Sequence, residues 1–440
     1  MKRVVVVGAG FGGLQAATDL ERAFRDDRDV EILVVSDQNF LLFTPLLPQI
    51  ASSYTDPRHI VQAVREIRGK RNFRFRREAV RSVDVTNRRL VFDSGVVGYD
   101  ALILTPGSRT EFFNTPGARE YSWDYKSLQQ AVELRERIID MCEHADHTED
   151  AEQRRTMLAF VVVGGGYTGI ELVTEMRDFL FRYAVRKYRG IDSSEIRLVV
   201  LEASQDILGG IGPKLAAHAR KRLDVKGIEV RTSAKVTKVF DGGVEINGNE
   251  TIVASTVIWT AGVRAIELIE SLPGPHDRIG RAIVNANLHL EGHPEIFVAG
   301  DSAAAVNAKE APRVAPVAIS QGRTAARNVA HLWRGEPLET YEYASNGMLV
   351  SLGMNFAVVK IAGIEVSGYF AWLFWNAVHL YKLVGLKKQL QVAGDWFLGL
   401  IFPRDAAIVR APRRCKLCEA EENSSGSQAR AASASGPNKQ

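Results

Sequence analysis

The sequence predicts an α/β protein that carries two parallel-sheet units of the same kind in one chain. Three observations support this prediction: an apolar strand and glycine-rich turn at 3–13, a second copy of that pattern at 160–171, and a length of 440 residues, which suits two or three domains. Hydrophobic content of 46% and charged content of 25% are those of an ordinary globular protein with a sizeable core.

The first unit begins with four valines at 4–7, a run typical of a strand buried on both faces of a parallel sheet. Gly8, Gly10 and Gly13 follow in G-x-G-x-x-G spacing, and apolar residues then recur at helical intervals. This strand–turn–helix context indicates a Rossmann-like dinucleotide-binding unit. Its glycines let the backbone approach a pyrophosphate, whose charge is met by amides at the helix N-terminus.

A second predicted strand at 30–35 ends in Ser36 and Asp37. An acid at this point of the fold accepts hydrogen bonds from ribose hydroxyls, so Asp37 is the candidate and Ser36 a weaker hydroxyl partner. A solvated loop aspartate is the alternative. The apolar, proline-broken segment 39–48 is either core packing or the wall of a cofactor pocket, because its periodicity does not separate the two.

Short strands separated by turns are predicted over 73–104, and the last of them returns to the sheet. It ends at Thr105 and Gly107, which therefore lie at the carboxyl edge, where open α/β sheets bind ligands. A helix is predicted over 127–144, with Cys142 buried in it as a structural residue.

The second unit repeats the glycine spacing at Gly164, Gly166 and Gly169, with Glu171 expected in the first turn of the helix. Glu171 is there either because acids stabilise helix N-termini or because it lies beside a bound nicotinamide. The next strand, at 196–202, ends in Glu202, whose carboxylate can bind both ribose hydroxyls of an adenosine. The same carboxylate repels a ribose phosphate, so NADH is favoured over NADPH.

Further strands are predicted over 228–260, with hairpin turns at 242–243 and 247–248. Ala261 and Gly262 end this group of strands with a small-residue turn similar to the one at 105–107. A buried strand then ends in Asp301, which is placed to hydrogen-bond the sugar-chain hydroxyls of a cofactor or to cap a helix.

Together these motifs resemble the type II NADH dehydrogenases, which are single-chain, non-proton-pumping NADH:quinone oxidoreductases. The resemblance covers residues 3–410, and the residues that carry it are 8–13, 39–51, 104–108, 164–171, 259–263, 299–301 and 351–410. It implies two Rossmann-like domains of the pyridine nucleotide-disulfide oxidoreductase type and a C-terminal membrane-associating region. It also implies non-covalent FAD in the first unit, NADH in the second, hydride transfer to FAD and two-electron transfer to a quinone.

The resemblance gives roles to individual residues. The first glycine motif would cradle the FAD pyrophosphate, and Asp301 would hold the ribityl or phosphate region. Glu202 would bind the adenosine ribose and Glu171 would lie close to the nicotinamide. Glu171 and Gln321 are the candidate catalytic residues, and no metal ligand cluster is expected, because the isoalloxazine carries the chemistry.

Two departures from the family pattern concern binding sites. Ser36 stands where the family usually has an acid, with Asp37 one residue later. In the region of the quinone motif, Pro316 and Ser320 stand where the family has glutamines, beside Ala318 and Gln321. Pro316 lacks a backbone N–H donor as well as the amide side chain. A site that binds a quinone carbonyl would therefore be built differently here, and the acceptor would be an unusual quinone or another compound.

The expected domains are FAD binding at 1–115 and 256–335, NADH binding at 116–255, a membrane-surface or dimer region at 336–410, and a disordered tail at 411–440. Cys415 and Cys418 in the tail are half of a zinc site, a redox pair or inert. The three cysteines are too few for a disulfide scaffold and indicate a reducing compartment. They also argue against disulfide reductases and sulfide:quinone oxidoreductases, which need paired cysteines near the flavin.

An apolar, aromatic segment at 368–386 has the length of a membrane span. Asn376, His379 and Lys382 recur on one helical face, which instead favours a helix lying in the membrane surface. Packing on the protein's own core or on a dimer partner is the alternative. The chain begins directly with a strand, which predicts no cleaved signal and a peripheral location on the cytoplasmic face of the cell membrane.

The net charge of +4 permits an anionic membrane surface and gives no argument for nucleic acid. The expected partners are therefore NADH, a quinone, the membrane surface and a second copy in a homodimer. Two other functions stay open: an NADH-dependent flavoprotein that reduces a soluble acceptor, and a flavin-binding redox sensor of low turnover.

Overall fold

A computed structural model describes residues 1–68, 72–307, 311–344 and 347–408. The strands are, in chain order, β1 (Lys2–Val7), β2 (Val30–Ser36), β3 (Phe40–Leu42), β4 (Val61–Ala63), β5 (Phe73–Arg77), β6 (Ser82–Asp84), β7 (Arg89–Phe92), β8 (Gly95–Gly98), β9 (Ala101–Leu104), β10 (Ser108–Thr110), β11 (Trp123–Asp124), β12 (Ala159–Val163), β13 (Arg197–Leu201), β14 (Ile228–Arg231), β15 (Val236–Phe240), β16 (Gly243–Ile246), β17 (Glu250–Val253), β18 (Thr256–Trp259), β19 (Val263–Ala265), β20 (Ala282–Val284), β21 (His289–Leu290), β22 (His293–Val298), β23 (Ala303–Ala305), β24 (Met348–Ser351), β25 (Ala357–Ile361) and β26 (Ile364–Gly368).

The helices are α1 (Phe11–Ala23), α2 (Leu47–Ala51), α3 (Val64–Arg68), α4 (Ala118–Tyr121), α5 (Leu128–His147), α6 (Ala151–Met157), α7 (Tyr167–Phe179), α8 (Val185–Lys187), α9 (Pro213–Val225), α10 (Glu267–Glu270), α11 (Ala315–Arg334), α12 (Tyr369–Lys382) and α13 (Leu386–Ile401). A π-helical turn, Leu180–Ala184, joins α7 to α8. Short 3-10 turns occupy Thr44–Leu46, Ser193–Glu195 and Gly300–Ser302.

The first sheet has the strand order β21-β22-β9-β1-β2-β5, with β1 parallel to both of its neighbours. The valines at 4–6 are completely buried, as a strand covered on both faces requires. Helices α1 and α11 pack closely against each other beside this sheet, and a Cβ at Gly322 would lie 2.2 Å from the Gly12 carbonyl oxygen. Only glycine permits that helix contact.

The second sheet has the order β11-β18-β12-β13-β14 and is parallel throughout. Strand β18 pairs with β12 along its length, so residues 256–259 belong to this sheet. The expected domain division starts the second part of the FAD-binding domain at residue 256, whereas β18 follows a hairpin in sequence and pairs within the second sheet. The meander β15-β16-β17 has its turns at 241–242 and 247–249, close to the positions predicted for them.

Cys142 is fully buried in α5, and burial raises the pKa of its thiol to about 12. This supports the structural role predicted for it, because such a thiol carries almost no reactive thiolate at neutral pH. Cys415, Cys418 and the tail at 411–440 lie outside the described residues.

The C-terminal part consists of the antiparallel meander β24-β25-β26 followed by α12 and α13. No helix within the described part of the chain is both long enough and apolar enough to cross a membrane. Large apolar side chains are nevertheless exposed on both helices: Tyr369, Phe370, Leu373, Phe374 and Tyr381 on α12, and Leu386, Leu390, Phe397, Leu398, Leu400 and Ile401 on α13. These residues are called the apolar face below.

The orientation of α12 differs from the one the sequence suggested. His379 is partly buried and stacks on Trp375, which is only 2% exposed, and Asn376 donates to the carbonyl of Trp372. These polar side chains therefore do not form a solvated face with Lys382. The face of α12 that is turned outward is aromatic.

Candidate active site

The first glycine turn is built so that side chains are excluded from it. Gly8 has φ +100°, and a Cβ there would lie 2.2 Å from the carbonyl oxygen of Thr105. A Cβ at Gly13 would lie 1.9 Å from the Gly8 carbonyl oxygen, whereas one at Gly10 would meet nothing within 4 Å among the described residues. The turn is thus closely packed at Gly8 and Gly13 and open at Gly10, which is the N-cap of α1. A pyrophosphate cradle requires this shape.

The second glycine turn repeats this construction. Gly164 has φ +111°, and a Cβ there would lie 2.8 Å from the Cα of Ala261. Gly169 packs against the Gly164 carbonyl oxygen, and Gly166 faces open space among the described residues. The chain therefore contains two cradles of the same build, as its sequence predicts.

A threonine that follows the neighbouring strand stabilises each turn by a hydrogen bond. The Thr105 hydroxyl donates to the Val7 carbonyl at 2.9 Å, and the Thr260 hydroxyl donates to the Val163 carbonyl at 2.9 Å. Gly107 and Gly262 each follow the threonine of their unit by two residues. Only Thr105 was predicted as a site residue, although the local pattern at Thr260 is the same and could have indicated the matching role.

Candidate ribose-binding carboxylates lie where the strands end. Asp37 is exposed just after β2, and the end of β2 adjoins the first turn because the Gly8 N–H donates to the Val35 carbonyl at 2.8 Å. Glu202 comes directly after β13 and accepts hydrogen bonds from the Gly165 N–H at 2.7 Å and the Ser204 N–H at 2.8 Å. Glu202 thus holds the second turn while staying partly open to solvent.

Asp301 lies in the turn after β22 and faces polar partners that the sequence did not indicate. The Ser108 hydroxyl donates to Asp301 at 2.5 Å, and the Lys126 ammonium lies 3.8 Å from the same oxygen. Burial lowers the pKa of Lys126, while the nearby carboxylates of Asp301 and Asp124 oppose this effect. Lys126 comes from the segment before α5, so only the tertiary fold brings it here.

Glu171 is the fifth residue of α7, beyond the first turn, since the helix begins at Tyr167. The helix N-terminus therefore does not explain this acid, and that alternative is wrong. The Ser351 N–H donates to its carboxyl at 2.9 Å. Burial, and secondarily the charge of Glu175, raise the pKa of Glu171 to about 8 against the opposing effects of Ser351 and Trp375.

A buried polar cluster surrounds Glu171. Glu175, one turn further along α7, forms an ion pair with Arg404 at 3.0 Å and accepts a hydrogen bond from the Ser52 hydroxyl at 3.0 Å. The hydroxyl of the buried Tyr125 has no hydrogen-bond partner among the described residues, and both glutamates raise its pKa after the larger effect of burial. Because Glu175 is compensated by Arg404, Glu171 is the acid of this cluster that is poised to hold a proton at neutral pH.

The residues of the altered motif lie in the first two turns of α11. Pro316 fits there without loss, because the first turn of a helix needs no amide donor. The Ser320 hydroxyl donates to the Val317 carbonyl at 2.9 Å and lies 3.2 Å from the Tyr341 hydroxyl. Gln321 is 3% exposed and accepts a hydrogen bond from the Gly300 N–H at 2.7 Å. Both polar side chains are thus engaged within the protein, and the backbone of Ala318 packs against Gly12.

A line of aromatic rings connects the first turn to the C-terminal helices. Phe11, within the glycine motif, meets Phe43 at 5.8 Å between ring centroids, and Phe43 meets His379 at 6.3 Å. His379 stacks on Trp375 at 4.0 Å. We call Phe11, Phe43, His379 and Trp375 the aromatic line; the sequence drew attention to the segments that contain these residues but did not indicate that the four rings meet.

The segment at 39–51 contributes to the core, which is one of the two roles that the sequence left open for its part 39–48. Leu46 and Ile50 are fully buried in the core, whereas Phe43 belongs to the aromatic line. Gln49, also buried, accepts a hydrogen bond from the Trp396 indole N–H at 2.8 Å and so ties this segment to α13.

Comparisons with known proteins agree with this architecture. Residues 2–322 match the family model of the pyridine nucleotide-disulphide oxidoreductases, and residues 346–405 match the NDH2 C-terminal domain. A type II NADH:quinone oxidoreductase of Mycobacterium tuberculosis, NdhA, is 34% identical over 90% of this chain and 86% of its own length. A type II NADH:quinone oxidoreductase of Staphylococcus epidermidis is 30% identical over 92% of this chain and 98% of its own.

Solved structures show the same fold. NDH2 from Plasmodium falciparum, solved in complex with NADH, superposes with a TM-score of 0.83 at 18% identity, covering 92% of this chain and 100% of that one. The sulfide:quinone oxidoreductase of Aquifex aeolicus gives a TM-score of 0.71 at 19% identity, covering 94% and 100%. At these identities the likeness concerns the fold alone.

Proposed function

Because the chain belongs to the type II NADH:quinone oxidoreductases of the pyridine nucleotide-disulphide oxidoreductase family, we propose that its two cradles serve FAD and NADH and that it reduces a quinone. The observation that carries this proposal is the duplicated glycine turn, closed to side chains at Gly8 and Gly164 and open at Gly10 and Gly166. When bound, FAD supplies the redox chemistry, since it takes up a hydride equivalent and gives two electrons to an acceptor.

In the first unit, the residues of this chain bind and orient the flavin cofactor. The backbone at Gly8, Gly10 and Gly13 admits its pyrophosphate, and the N-terminal amides of α1 meet the negative charge. Asp37, with Ser36, accepts hydrogen bonds from its ribose, and Asp301 accepts from the ribityl chain. Lys126, beside Asp301, adds a positive charge close to the same region.

In the second unit, Gly164, Gly166 and Gly169 receive the pyrophosphate of NADH in the same way. Glu202 accepts hydrogen bonds from the adenosine ribose, and its charge disfavours the additional phosphate of NADPH. The two proposed ligands meet where the edges of the two units face each other. These edges are formed by Thr105 and Gly107 in the first unit and by Ala261 and Gly262 in the second.

Glu171 is the proposed proton carrier. Oxidation of one NADH by one quinone takes up one proton from solution, because the quinol carries two hydrogens and NADH delivers a hydride. A carboxyl with a pKa of about 8 is protonated at neutral pH and loses its proton readily, as a general acid must. Its hydrogen bond from Ser351 fixes it between α7 and the C-terminal meander.

The aromatic line is the proposed route of the quinone. The His379 Nδ1–H donates to the Trp375 carbonyl at 2.7 Å, because that carbonyl only accepts. Burial lowers the pKa of His379 to about 4, so the ring is neutral and its Nε2 is an acceptor at neutral pH. His379 thus suits the hydroxyl of a quinol, whereas Ser320 and Gln321 are already hydrogen-bonded within the protein.

The apolar face is the proposed contact with the membrane. Aromatic side chains exposed side by side on two helices suit the interface of a bilayer, from which a quinone would enter along α12. Attachment to the cytoplasmic face and a homodimer are further parts of the proposal. Vesicle binding by the monomer tests the bilayer contact against a contact with a second copy.

Anaerobic stopped-flow absorbance tests the function. The protein with bound FAD is reduced by NADH and then mixed with a short-chain naphthoquinone, and we expect rapid bleaching followed by rapid reoxidation. The His379→Leu variant should be reduced at the normal rate and reoxidised at least tenfold more slowly. Reduction without reoxidation in the unaltered protein would favour a soluble acceptor, and failure to bleach would contradict the NADH dehydrogenase assignment.

A further inference from the structure

A basic cleft lies at the end of α7 that is remote from its glycine turn. It has a volume of about 340 Å³ and is bounded by the π-helical turn, the end of α9 and the turn between β24 and β25. Its charged lining consists of Arg177, Asp178, Arg182, Arg222 and Lys226. Four cations thus face one carboxylate, and none of these residues belongs to either glycine turn.

The single carboxylate is already engaged at both oxygens. The Lys226 ammonium contacts Oδ1 of Asp178, and both side chains are only 5% exposed. The Met354 N–H donates to Oδ2 at 2.8 Å. Arg177 lies 3.8 Å from Oδ1, at the outer limit of an ion pair. Asp178 therefore neutralises the buried Lys226 and leaves the arginines largely uncompensated.

Two of the arginines have no carboxylate partner within the described part of the chain. Arg182 contacts the sulfur of Met354, and Arg222 donates from Nη2 to the Met354 carbonyl at 3.2 Å. The Nε of Arg222 is buried and lacks a hydrogen-bond partner among those residues. A buried donor without a partner is costly, and a bound ion is one of its ordinary explanations.

The cleft is held in shape by the C-terminal meander. Gly353 has φ +79°, and a Cβ there would lie 2.3 Å from the Asp178 Oδ2 and 2.7 Å from the Lys226 Nζ. This glycine lets the β24–β25 turn approach the buried pair and place Met354 against both arginines. The ring of Phe356 lies 5.1 Å from the Arg222 guanidinium and limits its movement. The Arg222 guanidinium is thus held in position before any ligand arrives.

We infer that this cleft binds an anion that carries phosphate groups. Guanidinium groups match phosphate oxygens in pairs, and fixed arginines lose little freedom when they bind them. The volume lies at the lower end of the roughly 300–1,000 Å³ usual for small-molecule sites, which leaves room for more than one phosphate group. Free pyrophosphate and a phospholipid headgroup share this chemistry. The inference does not depend on the proposed function.

Calorimetric titration of the full chain with bound FAD tests the site, with pyrophosphate as the probe and saturating NAD⁺ present to occupy the second glycine turn. We expect saturable binding that weakens at least tenfold in Arg222→Met and in Arg182→Met. Lys221→Met and Arg186→Met are the matched controls, because each removes one exposed positive charge next to the cleft residues without lining the cleft. They should change the affinity less than twofold.

Sedimentation with phosphatidylcholine vesicles, with and without phosphatidic acid, distinguishes the source of the phosphate. Binding that requires phosphatidic acid and is lost in both cleft variants but in neither control assigns the site to a lipid headgroup. The inference is overturned if no probe binds, if NAD⁺ abolishes the binding of pyrophosphate, or if control and cleft variants lose affinity equally. Unchanged flavin absorbance and thermal unfolding of each variant exclude misfolding as the cause of a loss.

Discussion

The backbone N–H of Ser351 donates a 2.9 Å hydrogen bond to the carboxyl of Glu171 and so joins the C-terminal meander to the helix that leaves the second glycine turn. The two residues are 180 positions apart in the chain. This contact fixes an acid with a raised pKa in the space between the dinucleotide units and the apolar helices, where the proposed reaction takes up its proton.

Replacing Glu171 by glutamine should alter the pH dependence of the reaction. With a pKa of about 8, the unaltered carboxyl loses its proton as the pH rises, so quinone reduction should decline above about pH 8. In Glu171→Gln this decline should disappear and kcat should fall by about 10² at neutral pH. Steady-state rates between roughly pH 6 and roughly pH 10, a range that brackets this pKa, provide the measurement. The exposed Glu152→Gln on α6 is the control.

The Glu171→Gln substitution should also change the free energy of unfolding. Because the pKa of Glu171 rises from 4.5 to about 8 on folding, the folded protein binds this proton more tightly than the unfolded chain. The free energy of unfolding contributed by this group therefore falls as the pH rises between these values. Urea unfolding measures the free energy of unfolding of Glu171→Gln and of the unaltered protein over that range. As the pH rises, the variant should gain stability relative to the unaltered protein. A difference in free energy that does not change with pH would contradict the assigned pKa.

Two glycine variants of the first turn should have separable effects. In Gly8→Ala the new methyl would meet the Thr105 carbonyl at 2.2 Å in a strained conformation, so the protein without FAD should lose about 1–3 kcal/mol or more of stability. In Gly10→Ala the methyl meets no described atom, so the apoprotein should stay stable while FAD affinity falls at least tenfold. Thermal unfolding and fluorescence titration with FAD measure the two effects, and normal FAD affinity in Gly10→Ala would exclude the proposed cradle.

Replacing Glu202 by glutamine should change the choice of nucleotide. The amide oxygen can still accept from Gly165, so the turn should persist, but the charge that we propose binds the ribose hydroxyls and repels a phosphate is lost. We expect the Kd for NADH to rise about tenfold and the preference over NADPH to shrink by more than that. Glu229→Gln, on the neighbouring strand β14, is the control, and an unchanged preference would remove Glu202 from the ribose site.

Polar substitutions on the apolar face should release the protein from membranes. Phe370 and Phe397 are 79% and 62% exposed, and their joint replacement by serine should weaken binding to phospholipid vesicles at least tenfold, because each ring stabilises insertion by roughly 1.5–3 kcal/mol when fully buried. Val96→Ser, 58% exposed on β8, should have no effect. Unchanged vesicle binding together with dissociation of a dimer in light scattering would identify the face as a subunit contact instead.

The two strand–turn–helix units could be predicted from the amino-acid sequence alone, together with the glycines that form each turn. That success has a physical reason: the glycine spacing and the apolar run that mark each unit are close together in the chain, and Gly13 and Gly169 contact Gly8 and Gly164 within the same turn. The end of β2 at Ser36 and the position of Glu202 directly after β13 followed from the same local rules.

Features that depend on distant contacts were set by tertiary packing. Strand β18 joined the second sheet, α12 turned Trp375 and His379 inward and its other aromatic rings outward, and Lys126 came to lie beside Asp301. Glu171 acquired its raised pKa chiefly from burial, and the Arg222 Nε was left without a hydrogen-bond partner among the described residues, in a cleft formed by three separate segments. Sequence periodicity marks which residues are apolar, but burial and charge compensation are set by packing between elements that the sequence does not order in space.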